Sequence, residues 1–159
     1  MASKTCTSFR ILVLFLFLIC LPLSNSIDFN YPAVFNFGDS NSDTGNLVAG
    51  MAEQLDPPNG QIYFQKPSGR FCDGRLIINF LMDAMGLPFL NAYLEAIGTP
   101  SFRKGCNIAA AGSKILPATA SSVSPLSFGI QVAQFFRFKA RVQELQSTSI
   151  SFQEFLVME

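Results

Sequence analysis

The chain has 159 residues, a formal net charge of zero, 49% hydrophobic residues and 14% charged residues. This length predicts one compact domain, and the balanced charge gives no reason to expect a nucleic acid as partner. The sequence contains 0 histidines. It therefore lacks the side chain that most often serves as a general base near neutral pH.

The first 26 residues have the pattern of a secretory signal peptide. Lys4 and Arg10 supply positive charge, an apolar run of 13 residues from Ile11 to Leu23 follows, and Ser26 offers a small side chain at the cleavage position. A membrane-spanning helix needs about 20 apolar residues, so no stable membrane anchor is predicted. We expect cleavage after Ser26 and secretion out of the cell.

Two cysteines, Cys72 and Cys106, remain after the predicted signal peptide. An oxidising compartment permits a disulfide between them, but the sequence equally allows two separate thiols because it does not give the distance between their Cα atoms. Both interpretations stay open. The chain has no histidine and no cysteine spacing typical of zinc, so no metal or organic cofactor is expected.

The first half of the mature chain is divided by turn-forming residues. Ala33 to Phe37 is a short apolar run that predicts a buried strand, and Gly38 to Gly45 predicts a turn. A weak helix is expected from Asn46 to about Gln54. Pro57 to Gly74 is dense in proline, glycine and asparagine and predicts a loop, in which Arg70 is expected to be a solvated surface charge.

The next elements are a helix and a second strand. Asp73 is predicted to cap a helix that extends to about Met85. Pro88 to Lys104 predicts a loop with one helical turn around Ala92 to Ile97. Gly105 to Ala109 predicts a second short strand.

A long helix is predicted from Phe128 to about Gln146, with Ser127 as its cap. Its apolar residues step by four and three, as on one face of a helix. That face is either part of the core or a surface for self-association or for pairing with related proteins, because an aromatic face without neighbours is sticky. The residues of this stripe are Phe128, Val132, Phe135, Phe138, Val142 and Leu145.

The segment AVFNFGDSNSDTGN, residues 33–46, carries an apolar run directly into Gly-Asp-Ser. Gly-Asp-Ser alone is a common turn tripeptide, but FNFGDSNSDTGN (35–46) resembles the first block of the plant GDSL esterase/lipase family, secreted serine hydrolases of the SGNH type. The resemblance continues through KPSGRFCDGRLIINFLMDAMGLPFLNAYL (66–94) and GCNIAAAGSKI (105–115). Asn41 replaces the leucine of the family name, as in the branch similar to early-nodulin-like and fucosidase-like esterases.

The resemblance implies an α/β fold, here a partial three-layer sandwich with a mostly parallel, flavodoxin-like sheet. It also implies that the secreted protein is located in the apoplast or cell wall. It implies Ser40 as the nucleophile, with the backbone N–H groups of Ser40 and Gly112 as an oxyanion hole. Gly112 is equally open to interpretation as a packing glycine. Asp39, Asp43 and Asn46 are expected to support the turn through hydrogen bonds from side chain to backbone.

Two blocks of the family pattern are absent from the sequence. The Gly-x-Asn-Asp block, whose asparagine completes the oxyanion hole, and the Asp-x-x-His block are both missing, and residues 147–159 depart from the pattern. We therefore expect residues 27–146 to be the N-terminal part of a hydrolase domain, residues 147–159 to be a divergent tail, and the chain to be a truncated product that is inactive alone.

Two functions follow from these expectations. The first is that of a secreted carboxylic ester hydrolase that acts through an acyl-Ser40 intermediate on a small ester, which would be a lipid, an acetylated sugar or a phenolic ester. The second is that of a non-catalytic fragment, either one that binds a partner or one with no function. The sequence alone does not give the substrate, because a fold hosts many specificities.

Overall fold

The computed structural model describes residues 30–157, with side chains described from 30 to 148, so the predicted signal peptide lies outside the described residues. The described part is a mixed α/β structure, as expected. Within it, no helix is both long enough and apolar enough to cross a membrane. The elements are β1 (Val34–Asn36), α1 (Asn46–Met51), α2 (Gln61–Phe64), α3 (Ile77–Ala84), β2 (Gly105–Asn107) and α4 (Phe128–Val157).

The two strands, β1 and β2, form a small parallel sheet in which Val34 pairs with Gly105. Ala92 makes a further parallel bridge to Asn107 on the other side of β2, so β2 lies between β1 and this bridge. The helical turn predicted around Ala92 is a single hydrogen-bonded turn, in which the Glu95 amide donates to the Ala92 carbonyl (3.1 Å).

Gly105 allows the two strands to approach each other. It has a φ of +97°, and a Cβ atom built on it would lie 1.8 Å from the carbonyl oxygen of Val34. Only glycine combines this backbone conformation with the absence of a Cβ. The pairing of β1 with β2 therefore depends on this residue.

Helices lie on both faces of β1, because successive side chains of a strand point to opposite faces. Val34 packs against the buried cluster formed around α3, which contains Leu76, Ile78, Met82 and Leu90. Phe35 packs against α4, with ring centroids 5.0 Å from Phe135 and 5.5 Å from Phe138. This arrangement is the small parallel core of a three-layer α/β fold, as expected.

The cap predicted for α3 is wrong. The helix begins at Ile77, four residues after Asp73, and the residue that serves its first turn is Asn79, whose Oδ1 accepts a hydrogen bond from the Leu76 amide (3.1 Å). The carbonyl of Asp73 instead accepts the Ile62 amide (2.8 Å). Asp73 therefore ties α2 to the segment that precedes α3.

The segment predicted as a loop from 57 to 74 contains α2 and a buried cation, so the expectation of a solvated Arg70 is wrong. Arg70 is 7% exposed, donates from Nε to Asn79 Oδ1 (3.1 Å) and stacks over the Phe64 ring at 4.3 Å. Burial lowers the pKa of Arg70, while the nearby Cys72 and Asp43 oppose this shift. Arg70 is thus a structural residue that joins α2 to α3.

Helix α4 begins at Phe128, directly after Ser127, as predicted, but it extends to Val157 rather than to about Gln146. The middle of its apolar stripe is half-buried against the sheet. The ends are more open, since Phe128 is 45% and Leu145 is 52% exposed. The stripe is therefore part of the core at its centre and surface at both ends.

Both described cysteines are free thiols. Cys106 lies in the middle of β2 and is fully buried, and burial raises the pKa of its thiol to about 12. Cys72 is half-buried, and its Sγ donates to the Gly74 carbonyl (3.3 Å). Of the two interpretations left open by the sequence, the structure has the separate thiols.

Candidate active site

Ser40 lies in the turn that follows β1. The Ser42 and Asp43 amides both donate to the Asp39 carbonyl (3.1 and 2.9 Å), and Asp39 Oδ1 accepts the Asn41 amide (2.9 Å). Ser40 is half-buried. Within the described part of the chain, neither its hydroxyl nor its amide makes a hydrogen bond, so both groups are available to a ligand.

Asp43 connects this turn to the loop that follows β2. Its carboxylate is fully buried and accepts four backbone N–H groups. Oδ1 accepts from Gly45 (2.7 Å) and Asn46 (2.6 Å), and Oδ2 accepts from Leu47 (3.1 Å) and Ala111 (2.8 Å). A carboxylate with four backbone donors fixes the start of α1 and the position of the second loop together.

Asn46 and Asn107 form the second set of contacts between the two loops. The side chain of Asn46 donates to the carbonyls of Asn107 and Ala109, both at 2.8 Å. Asn107, fully buried, donates to Thr44 Oγ1 (2.9 Å) and accepts from Asn36 Nδ2 (2.9 Å). The end of each strand is therefore bonded to the loop of the other.

Gln131 of α4 holds the residue at which the turn begins. Its Oε1 accepts the Gly38 amide (3.0 Å), and its Nε2 donates to the Gly38 carbonyl (2.8 Å) and to Ser113 Oγ (2.8 Å). Gln131 is fully buried. This side chain therefore joins the helix to both loops, and it is 93 residues away from Gly38 in sequence.

Gly112 lies in the loop after β2, which is bonded to the turn of Ser40 through Ala110 and Ala111. The Ala110 amide donates to the Gly38 carbonyl (3.2 Å) and so bonds the two loops directly. The two predicted oxyanion donors follow closely, because Ser40 lies two residues after Gly38 and Gly112 lies two residues after Ala110. The amides on either side of Gly112 are occupied, whereas that of Gly112 makes no hydrogen bond among residues 30–157. Gly112 has a φ of +71°, and a Cβ there would lie 3.0 Å from Val123 Cβ. Its conformation and close packing both favour glycine.

Sequence reasoning missed Asn107 and Gln131. A signal for each was present, because Asn107 is a polar residue in a short strand and Gln131 is a polar residue beside the apolar stripe of a helix. Buried polar side chains at such positions must have hydrogen-bond partners. Those partners are distant in sequence, which is why the pattern alone did not find them.

A large groove lies away from this site. It has a volume of about 880 Å³ and is lined by β1, the segment around Tyr93 and α4, without Ser40 or Gly112. Across the described ranges, no group of three or more histidine, cysteine, aspartate or glutamate residues could hold a metal ion.

A model of the family described as GDSL-like Lipase/Acylhydrolase matches residues 34–156. The chain belongs to the GDSL esterase/lipase family. The resemblance of the sequence to this family is thereby confirmed. The small parallel sheet with its flanking helices is consistent with the family fold.

Three relatives from Arabidopsis thaliana show how much of a family protein the chain covers. It is 64% identical over 135 residues to GDSL esterase/lipase At1g54790, which covers 85% of this chain and 33% of the relative. For GDSL esterase/lipase At3g05180 the identity is 48% over 141 residues, which cover 87% of this chain and 37% of the relative. For Alpha-L-fucosidase 3 the identity is 44% over 130 residues, which cover 79% of this chain and 34% of the relative. The GDSL chain thus spans about a third of the length of these curated relatives. No solved structure matches it.

Proposed function

We propose that this chain carries the nucleophile side of a carboxylic ester hydrolase. Ser40 Oγ adds to the ester carbonyl carbon while its proton passes to a base, and a tetrahedral oxyanion forms. The oxyanion collapses to acyl-Ser40 as the bond to the alkoxide oxygen breaks, and the base gives the proton to that oxygen so that the alcohol leaves. Water then attacks the acyl group, the carboxylic acid leaves and the Ser40 hydroxyl is restored. The observation that carries this proposal is the hydroxyl of Ser40 in the turn after β1. It makes no hydrogen bond within the described residues, and Ser40 lies two residues beyond Gly38, whose carbonyl accepts the Ala110 amide.

The amides of Ser40 and Gly112 are the donors proposed for the oxyanion. One such donor typically contributes about 3 to 4 kcal/mol to the stabilisation of the transition state, provided that it is held in place beforehand. Asp43 and Gln131 supply that rigidity, because each bonds both loops and each is fully buried. In this proposal they are positioning residues. Asn46 also bonds both loops, through the Asn107 and Ala109 carbonyls, and Asp39 supports the turn through its bonds with Asn41.

In this proposal the proton acceptor comes from outside these 159 residues, which contain 0 histidines. Loss of a triad member lowers turnover in serine hydrolases by a factor on the order of 10⁴ to 10⁶. We therefore expect the 159-residue chain alone to show no Ser40-dependent hydrolysis of a short p-nitrophenyl ester. Turnover by this chain that disappears in Ser40→Ala would contradict that expectation.

The nucleophile is tested in a chimera that joins residues 27–146 to the two thirds of At1g54790 that lie outside the match. Ser40→Ala is expected to lower the hydrolysis of p-nitrophenyl acetate by at least about 10⁴-fold. Ser42→Ala, in the same turn, is the matched control and should retain turnover within about tenfold. Equal losses in both variants, or full turnover in Ser40→Ala, would refute the role of Ser40.

The finer parts of the proposal concern substrate and location. The proposed substrates are lipid, acetylated sugar and phenolic esters, and a lipid substrate would make the protein part of lipid degradation. Residues 1–26 are proposed to be a signal peptide and residues 147–159 a divergent tail of a truncated hydrolase domain. N-terminal sequencing of the protein secreted from plant cells should begin at Ile27, and an intact N-terminus would refute cleavage.

A non-catalytic binding function is the second candidate. It is favoured by the half-exposed ends of the α4 stripe and by the groove beside them. In this alternative the chain associates with itself or with another family member without hydrolysis. Pull-down of a co-expressed full-length relative by the tagged chain tests it, and failure to recover the relative would remove it.

A further inference from the structure

A surface loop of residues 115–125 begins and ends at the candidate site. Ser113 Oγ donates to the Leu126 carbonyl (2.8 Å), and the Phe128 amide donates to the Lys114 carbonyl (2.9 Å). The two ends of the loop are therefore bonded to each other. Compact loops with closed ends and a length of about 6 to 16 residues frequently carry function.

Gln131 holds the ends of this loop against the turn of Ser40. Its Nε2 donates to Ser113 Oγ (2.8 Å) and has a longer contact with the Leu126 carbonyl (3.3 Å). The same side chain bonds both backbone groups of Gly38. The loop and the turn are therefore fixed relative to each other by one buried side chain.

Val123, in the second half of the loop, packs against Gly112. A Cβ atom built on Gly112 would lie 3.0 Å from Val123 Cβ and 3.1 Å from Val123 Cγ1. The next residue, Ser124, is buried, and its Oγ accepts the Leu126 amide (3.1 Å), so the backbone at Val123 is anchored. The valine is nevertheless 75% exposed. One side of it contacts Gly112, and the rest faces the solvent beside the site.

Two more apolar side chains of the loop, Ile115 and Leu116, are exposed as well. Residues 112–126 contain no aspartate or glutamate, so no carboxylate of this segment lies among them. An amide that is free to bind an oxygen and an adjacent apolar surface together suit a ligand with a carbonyl oxygen at one end and a hydrocarbon chain at the other.

The chemistry of the proposed reaction indicates which part of an ester faces Val123. The tetrahedral carbon carries Ser40 Oγ, the oxyanion, the acyl chain and the leaving alkoxide oxygen. The oxyanion takes the amides of Ser40 and Gly112. The alkoxide oxygen takes its proton from the base, which lies outside these residues in the proposed function, and so it points away from them. The acyl chain is the substituent left beside the loop.

We propose that Val123 determines which acyl groups the site accepts. This inference rests on the proposed function, in which the Gly112 amide binds the oxyanion. The first carbons of the acyl chain lie on Val123, and a longer chain continues onto Ile115 and Leu116. The loop therefore favours esters of apolar carboxylic acids longer than acetic acid.

Titration with carboxylates tests the loop without catalysis. Octanoate and acetate, which resemble the released acids, are added to the 159-residue chain, and the methyl signals of Val123 are followed by NMR. We expect a saturable shift with octanoate that is at least about fivefold larger than with acetate. Ile97 lies outside the loop and is 86% exposed. Its methyl signals are the internal control and should not shift.

A substitution in the same chain measures the contribution of the valine. Val123→Ser is expected to weaken octanoate binding by about tenfold, read from the shift of the Gly112 amide, and Ile97→Ser by less than about twofold. Circular dichroism checks that both variants are folded. Loss of the Gly112 response in both variants alike would contradict the proposal.

The chimera of residues 27–146 with the rest of At1g54790 gives the corresponding kinetic test. Val123→Ser should lower the ratio of kcat/KM for p-nitrophenyl octanoate to that for p-nitrophenyl acetate by about tenfold, whereas Ile97→Ser should leave the ratio within about twofold. A merely structural role would lower turnover of both esters together and leave the ratio unchanged.

Two further results would overturn the proposal. They are an octanoate shift at Val123 no larger than at Ile97, and an active chimera whose octanoate preference is the same with valine and with serine at position 123. The titrations do not require catalysis. A chimera that hydrolyses neither ester would therefore count against Ser40 and leave the loop to be decided by octanoate binding, and failure of octanoate to bind would leave the role of Ser40 standing.

Discussion

The two sides of β1 are stabilised in different ways. At its carboxyl end, buried polar side chains such as Asp43 and Asn107 bond the turn of Ser40 to the loop of Gly112. Toward α4, half-buried aromatic rings border an open groove, and the backbone of Phe35 has no partner within residues 30–157. The turn of Ser40 is therefore held by hydrogen bonds within the described chain, whereas the apolar side is held by contacts between rings and is partly exposed. Substitutions on the two sides should therefore lower the free energy of unfolding by different amounts.

The largest effect is expected from Asn107→Leu. Asn107 is fully buried, donates to the Ser42 carbonyl and Thr44, and accepts from Asn36 and the Ala109 amide. Leucine removes these bonds and leaves buried groups unpaired, so the free energy of unfolding should fall by about 3 to 5 kcal/mol. Urea denaturation followed by circular dichroism measures this loss.

The matched control for this substitution is Asn91→Ala. The Asn91 side chain donates one exposed hydrogen bond, to the Ser101 carbonyl (3.0 Å). Asn91→Ala should therefore lower the free energy of unfolding by less than about 1 kcal/mol. Equal losses for the two variants would mean that the polar contacts between the loops do not dominate the stability of the site.

Asp43→Asn should have the next largest effect. An amide keeps one acceptor oxygen, so the bonds from Leu47 and Ala111 to Oδ2 would be lost. We expect a decrease of about 2 to 3 kcal/mol in the free energy of unfolding. Among the described residues, Asp39 Oδ1 accepts only from the exposed Asn41, so Asp39→Asn should change the free energy of unfolding by less than about 1 kcal/mol. The opposite order would contradict the assignment of Asp43 as the main link between the loops.

Cys106, on the strand shared by both sides, gives a pH-dependent test. Burial raises its pKa to about 12 from the ordinary 9.0, so the folded state holds its proton more tightly than the unfolded state. The stabilisation is complete below pH 9 and is lost as the pH rises toward 12. At pH 10 the native chain should have lost about 1.4 kcal/mol more than Cys106→Ala. If the free energy of unfolding changed with pH in the same way for both proteins from pH 8 to 11, Cys106 would be accessible to water in the folded state, which would contradict this prediction.

The smallest effect is expected on the groove side. Phe138 is half-buried, with Phe35, Tyr93 and Phe102 within 6.4 Å of its ring centroid. Phe138→Leu should cost about 1 kcal/mol, since shape changes among apolar residues are tolerated best where packing is incomplete. Phe136→Leu, at a position that is 62% exposed, should cost less than about 0.5 kcal/mol. A loss at Phe138 as large as that at Asn107 would remove the contrast between the two sides.

Local patterns predicted most elements of this fold. The apolar run from Ala33 and the glycines after it predicted β1 and the turn, and the spacing of Phe128, Phe135 and Phe138 predicted the helix face that contacts the sheet. These signals lie within a few residues of each other. For the same reason, the family motif around Ser40 could be recognised without a structure.

What the sequence did not predict depends on long-range contacts. Arg70 is buried because it contacts Phe64 and Asn79. Asn79, the third residue of α3, supplies the hydrogen bond at the start of the helix that was expected from Asp73. Gln131 finds its partner 93 residues away at Gly38. A composition-based prediction places arginine and glutamine in solvent because it does not include the partners that make their burial favourable.

The close approach of β1 and β2 at Gly105 has an evolutionary consequence. Every single-base change that alters the amino acid encoded by a glycine codon either introduces a residue with a Cβ or ends the chain, and a Cβ here would lie 1.8 Å from a carbonyl oxygen. Neutral drift at this codon is thus confined to synonymous changes. A library of random mutants selected for solubility should consequently return glycine at position 105 while the neighbouring loop positions vary.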